Sequence, residues 1–401
     1  MTSAQALRRQ PPAEPSPDGI GGVPRPLLRA VVPALGGYLA VRVVGLLFLL
    51  AYGHARHVST RTRLGTFADA GWYVRIVETG YSVSNGLIGH HGIPYSPRAF
   101  FPLFPALADP FHHYLQLTPG DSLLVVASVA GPVAAAGIYA CAARCHGHRT
   151  GVVAAVLWGV LPLAAIENMA YSEALFTAFA AWSLYAALTR RWIWGGLLAV
   201  AAGLTRPTAM ALTAALGVAA LVEFRRWRRE DADTPMPWRP LAGTVLSLLG
   251  WAGYMLWTGL AVGSLGGYFH IQAAWGSGFD GGVSAVACLV GLVLVHRSWE
   301  GLVMGVSTIG YLWLFRDSLR RGQPLLLLVF SAALLVLDLG NSSAVPPLAR
   351  FLLPAFPLLF PAAQRLAEFP SSRKLAVLLA VGALLSGAYG IVVVFVGGAP
   401  A

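Results

Sequence analysis

The chain has 401 residues, 56% of them hydrophobic and only 11% charged, with a mean hydropathy of +0.65. A soluble domain averages about 25% charged residues, so this composition excludes an ordinary water-soluble protein and points to one covered by lipid. The net charge of +11 is therefore read as membrane sidedness, because basic residues collect on the cytoplasmic side, and nucleic acid is not an expected partner.

In chain order, residues 1–28 are rich in Pro, Gly, Arg and Ser and read as a disordered cytoplasmic tail, with 29–401 as one transmembrane domain. About 20 apolar residues cross a bilayer. The stretch near 30–52 meets that length and reads as a signal anchor. Further spans are expected near 121–143, 150–167, 171–189, 192–205, 208–223, 240–262, 300–316, 324–339, 350–366 and 375–397, about eleven in all. The segment 283–296 is apolar but short and is assigned to the interface or a re-entrant hairpin.

The arginines support this layout. With the N-terminus in the cytoplasm, Arg144, Arg149, Arg190, Arg191, the run from Arg225, Arg316, Arg320, Arg321, Arg373 and Lys374 all fall inside. The short outer loops hold only Arg206, Arg297 and Arg350, while the large first outer loop, 53–120, is long enough to escape the rule. Asp69, Glu78, Asp109, Asp121, Glu167, Glu173, Asp280 and Glu300 then face outward, with Asp338 near an outer span end. Outer-face chemistry must draw on these.

The first outer loop is the least lipid-like part of the chain. In "FADAGWYVRIVETGYS" a short helix ending at Gly80 would set Asp69, Trp72, Tyr73 and Ile76 on one face. Two readings stand. A carboxylate beside two aromatic rings suits a sugar, whose apolar face stacks on the rings while its hydroxyls meet the carboxylate. Alternatively Asp69 is the N-cap of an interfacial helix with Trp72 and Tyr73 in the aromatic belt. Arg75 and Glu78, three apart, are expected to pair. The segment Phe100–Pro105 is apolar yet broken by proline and should lie along the membrane surface. No metal motif is present, so a divalent ion is neither required nor excluded and no cofactor is identified. Cys141 and Cys145, near His146 and His148, read as packing residues at a span end, and His112–His113 as solvated interface residues.

The ordered set "ADAGWY", "IVETGYS", "AFFPLFP", "NMAYSEALFTAFAAWSLYAA" (168–187), "GLLAVAAGLTRPTAMAL" (196–212) and "LARFLLPAFPLLF" (348–360) resembles the GPI mannosyltransferase II (PIG-V-like) family of polyprenol-phosphate-sugar-dependent glycosyltransferases, in an actinobacterial-type form. One departure is Ala68, where that family usually has Trp. The resemblance implies an all-α, GT-C-like transmembrane bundle and an inverting glycosyltransferase, a mannosyltransferase, working at the outer face of the cell membrane. A polyprenyl-phosphate sugar is the implied donor and a glycolipid or glycoprotein the acceptor. Asp69 is the implied general base, with Trp72 and Tyr73 shaping the sugar site.

A leaving phosphate calls for arginine, whose fork holds two oxygens. Arg350, Arg206 and Arg98 are the outward candidates. Arg350 reads equally as an interfacial arginine reaching for water. Glu173 is either a substrate residue or, with Ser172, a helix cap. Arg42, deep in the first span, is an intramembrane charge without an assignable partner. The competing functions are a lipid or sugar transporter, for which no internal repeat is visible, and a catalytically silent homologue.

Overall fold

A computed structural model describes residues 25–82, 86–230, 234–291, 299–342 and 350–396, with side chains of the first segment from 29 and of the fourth from 302. Most of the expected tail, Arg297, Asp231, Asp233, the side chain of Glu300 and the end of the 283–296 segment lie outside the described residues. The described chain is almost entirely helical. In order it forms α1 (Arg25–Ala55), α2 (Thr60–Thr66), α3 (Asp69–Thr79), α4 (Leu103–Leu115), α5 (Pro119–His146), α6 (His148–Gly159), α7 (Glu173–Leu188), α8 (Trp192–Gly203), α9 (Met210–Glu230), α10 (Trp238–Val262), α11 (Gly267–Ala273), α12 (Val283–Val290), α13 (Trp299–Arg320), α14 (Leu325–Leu339), α15 (Phe360–Ala367) and α16 (Ser372–Ile391).

Among the described residues, five helical stretches are long and apolar enough to cross a membrane: Arg29–Ala55, Pro119–His146, Pro207–Glu230, Trp238–Val262 and Ser372–Val396. Helices α7, α8 and α14 are apolar but shorter. The chain is a multi-pass membrane protein. Its outer surface supports this directly, since Leu47, Val245, Leu249 and Leu385 are all exposed on long helices, where only lipid would cover them without cost.

Helix α5 lies at the centre, with 61% of its apolar stretch buried against 22% for α1. It packs on α1, α4, α6 and α7. Tyr38 of α1 stacks on Trp158 of α6 at 5.4 Å, and the Trp158 indole donates to the carbonyl of Leu353 at 3.0 Å. Helices α8 and α10 meet along a glycine seam. A Cβ added at Gly203 would sit 2.6 Å from the backbone nitrogen of Trp251 and 3.1 Å from Gly250, so the two backbones touch as small-residue seams allow.

Two expected spans are not continuous helices. The 150–167 stretch gives α6, a break containing Pro162, and a 3-10 turn at Ala164–Asn168. The 350–366 stretch opens on turns and passes through a 3-10 segment, Phe356–Leu359, before α15. Pro354, Pro357 and Pro361 account for this, because each lacks an N–H and obstructs the preceding helical turn. The large first loop contains α2, α3 and α4, with 3-10 turns at His90–Gly92 and Pro97–Ala99 between the last two. At the far ends of the bundle the basic residues meet one another's elements. Arg149 donates to the carbonyl of Phe369 at 2.6 Å, Arg190 pairs with Glu223 at 3.0 Å, and Arg321 and Arg365 share Asp317.

The glycine seam leaves no room for a methyl group. Gly203→Ala should cost about 1–3 kcal/mol through overpacking, read as a lowered thermal midpoint in detergent, whereas Gly253→Ala, which meets open space, should leave it unchanged.

Candidate active site

Four charged side chains from four separate places converge on one buried cluster. Asp69 is the first residue of α3. Glu173 is the first residue of α7. Arg206 stands at the break between α8 and the 3-10 turn Pro207–Ala209. Arg350 opens the proline-broken segment before α15. The Arg350 guanidinium spans the first two, its Nη2 on Oδ2 of Asp69 and its Nε on Oε1 of Glu173 at 2.5 Å. Arg206 Nη1 reaches the same Glu173 oxygen at 2.8 Å and donates to Ser172 Oγ at 3.3 Å. The Arg350 guanidinium also lies over the Tyr171 ring at 4.4 Å, and that of Arg206 over Phe351 at 4.9 Å.

Burial grades this cluster. The side chains of Arg350 and Glu173 are 4% and 2% exposed, while Asp69 keeps 32%. The cluster is thus a closed ion-pair network with one carboxylate at its open edge. A pair this deep holds only because each charge finds opposite charge and hydrogen bonds. The Coulomb attraction alone is compatible with a structural role; the partial exposure of Asp69 sets it apart from its buried partners.

The local geometry corrects several sequence expectations. Asp69 is not an N-cap. Ala68 occupies that position at φ 53° and ψ −120°, with no side-chain capping bond, a positive φ uncommon outside glycine. Such strain often accompanies a functional site, and the Asp69 carboxylate that follows it meets Arg350. Gly80 does end α3 at positive φ, as expected. Arg75 does not pair with Glu78 but lies beside the Trp72 ring at 6.0 Å, leaving Glu78 exposed. Ser172 does not cap α7; its Oγ accepts instead from Tyr73 at 2.9 Å and from Arg206. Glu173, at the first position of α7, belongs to the ion-pair network through both arginines.

Of the other candidates, Tyr73 is buried under the site, its ring edge-on to Phe100 and Phe104. Burial raises its hydroxyl well above the usual phenol range, so it serves as a neutral donor to Ser172. Trp72 is half-buried and stacks on Phe100 at 5.7 Å. Arg98 is not brought into the cluster; it lies over Trp257 at 4.7 Å. Arg42 acquires a partner, Glu167, at 3.7 Å, with Asn168 Oδ1 at 3.2 Å and the Gly159 carbonyl at 3.4 Å, and Tyr38 donates to the same Glu167 at 2.7 Å. This second network ties α1 to the turn that leads into Tyr171, Ser172 and Glu173. Beside Asp69, a cleft of about 410 Å³ is lined by Val58, Ser59, Thr62, Arg63, Thr66, Phe67 and Ala68.

No group of three or more His, Cys, Asp and Glu able to hold a metal ion occurs among the described residues. His146 meets Gln364, His148 meets Tyr139, and Cys141 donates to the Ala181 carbonyl.

Residues 102–257 match the family described as dolichyl-phosphate-mannose-protein mannosyltransferase. That stretch holds Ser172, Glu173 and Arg206 but neither Asp69 nor Arg350. A search of curated protein sequences finds no match. The fold is similar to ArnT from Cupriavidus metallidurans, solved bound to undecaprenyl phosphate, at TM-score 0.53 and 15% identity over 86% of this chain and 62% of ArnT. It is equally similar to the apo oligosaccharyltransferase of Archaeoglobus fulgidus, at TM-score 0.53 and 14% identity over 89% of this chain and 56% of that one. The fold is GT-C. This chain spans less than two thirds of either relative's length.

The Arg42–Glu167 pair should be a structural liability when half of it is removed. Arg42→Met leaves a buried carboxylate without its cation and should cost roughly 3–5 kcal/mol. Arg42→Met combined with Glu167→Gln should recover most of that loss in a thermal melt in detergent.

Proposed function

We propose that the chain is an inverting glycosyltransferase that moves a sugar, mannose, from a polyprenyl-phosphate donor to an acceptor hydroxyl, in the manner of the GPI mannosyltransferase II-like family. The observation that carries this reading is the partly exposed Asp69 carboxylate held by the buried Arg350, at the edge of a helix bundle of GT-C fold. The family matched over 102–257 and the lipid phosphate bound to ArnT support the choice of donor.

In this reading Asp69 takes the proton of the acceptor hydroxyl as that oxygen attacks the anomeric carbon. The bond from that carbon to the phosphate oxygen breaks, with inversion. The phosphate passes from one negative charge to two while Asp69 passes from one to none, so the total charge at the site is unchanged. Arg350 then needs only to transfer its attraction from Asp69 to the phosphate. A preorganised cation that waits for developing charge is the kind of group that lowers such a barrier. Arg206 supplies the second cation, and Glu173 keeps both in place. The cleft running up to Ala68, with the Arg63 guanidinium over Phe67 at 3.3 Å, is the proposed approach of the donor. Placing the active site outside and the N-terminus in the cytoplasm agrees with the basic residues gathered at the opposite helix ends.

Purified protein in lipid nanodiscs, given a polyprenyl-phosphate-mannose and cell-envelope glycolipid or glycoprotein fractions, tests this. Asp69→Asn should lower transfer by roughly 10²–10⁴ with folding intact; full activity in that variant overturns the base assignment. Arg350→Lys keeps the charge but loses the fork, and should lower kcat by roughly 10²–10³. An Arg350→Lys enzyme with wild-type kcat would remove Arg350 from the phosphate step.

A further inference from the structure

Trp72, Tyr95, Phe100 and Trp275 come from three distant stretches of sequence and meet as one group. Trp275 lies edge-on to Tyr95 at 4.7 Å, to Trp72 at 5.6 Å and to Phe100 at 6.0 Å. Trp72 stands between Phe100, stacked at 5.7 Å, and Tyr95, tilted at 6.1 Å. All four are half-buried, so each keeps part of its surface accessible. The arrangement is held by hydrogen bonds to backbone carbonyls rather than by the rings alone. The His90 N–H donates to the Ala274 carbonyl at 2.8 Å, and Gln272 donates to the Ala99 carbonyl at 3.1 Å. Gly89 permits the first of these, because any Cβ there would strike the Ala274 carbonyl and approach the Tyr95 ring to 2.9 Å.

The position of this group matters as much as its make-up. Trp72 follows Asp69 by three residues, one turn along α3. The cleft proposed for the donor ends at Ala68, on the other flank of Asp69 in the chain. Rigid aromatic surfaces with a carboxylate one turn away, and Arg75 beside Trp72, combine flat apolar faces with hydrogen-bonding charge. That combination fits the apolar C–H face and hydroxyl rim of a pyranose ring. An acyl chain would need no such polar rim.

We propose that Trp72, Tyr95, Phe100 and Trp275 form the acceptor subsite and that the acceptor is itself a saccharide, presented to Asp69 across Trp72. This rests on the transferase reading above, and Trp275 is the residue that sequence alone gives no reason to choose.

The test needs neither donor nor turnover. Saturation-transfer difference NMR on the protein in nanodiscs would use methyl glycosides of mannose, glucose and galactose and an α-linked mannose disaccharide as probes, with octanoate as the acyl control. At least one glycoside should receive saturation on its ring C–H protons. That signal should fall at least five-fold in Trp275→Ala and stay within two-fold in Trp275→Phe, which preserves packing and an aromatic face. No signal from any glycoside, a signal unchanged in Trp275→Ala, or saturation of octanoate alone overturns the proposal. A protein that transfers sugar with wild-type acceptor KM in Trp275→Ala would refute this subsite and keep the transferase reading. A protein that binds glycosides through Trp275 yet transfers nothing would do the reverse.

Discussion

A buried guanidinium that cannot be left alone organises this site. Arg350 is almost wholly enclosed, and at that depth an unpaired charge is far more costly than any packing defect. Its planar fork reaches two carboxylates at once, one at the start of α3 and one at the start of α7. Glu173 in turn holds Arg206. Displacing any one of these elements would strip a buried charge of its partner, so the outer loop helix, the central bundle and the segment before α15 are coupled in position. A single side chain thus converts three loosely connected pieces of chain into one frame around Asp69.

The helix breaks are what make this frame possible. In a bilayer an uninterrupted apolar helix keeps its polar groups to its ends, and irregular backbone is tolerated only inside protein or along a cavity. Here proline interrupts the chain at Pro162, Pro207 and Pro354, and Glu173, Arg206 and Arg350 each follow or flank such a break. The freed backbone groups find partners within the protein. The Leu353 carbonyl accepts from Trp158, and the Leu204 carbonyl accepts from the Leu103 N–H at 2.8 Å. The second network, Arg42 with Glu167 and Tyr38, fixes the break after α6 from the side of α1.

Two kinds of surface flank Asp69 in the chain. One is the hydroxyl- and arginine-bearing cleft along α2, whose chemistry suits a phosphate. The other is the aromatic group around Trp275, whose chemistry suits a sugar ring. Under the proposed function these surfaces would receive donor and acceptor, and Ala68, at positive φ, precedes the carboxylate that would serve both.

Much of this architecture was readable from the residues, because a bilayer imposes strong one-dimensional rules. Hydropathy and arginine placement gave the polytopic class, most of the helices and the two ends of the bundle. The motif around Asp69, and the outward arginines in "LTRPTA" and "LARFLL", marked three members of the charged network. Proline content carried the signal that the 150–167 and 350–366 stretches break, though length alone suggested whole spans. The partners were a different matter. That Arg350 chooses Asp69 and Glu173, that Arg42 chooses Glu167, that Ser172 serves Tyr73 and Arg206 rather than its own helix, and that Trp275 joins Trp72 all depend on contacts between residues 34 to 281 positions apart. No local pattern encodes such pairings. Sequence fixes which groups sit at which membrane depth, because the solvent is layered along one axis; only the packed bundle decides which of them meet, because the rotation and approach of each helix is set by all the others.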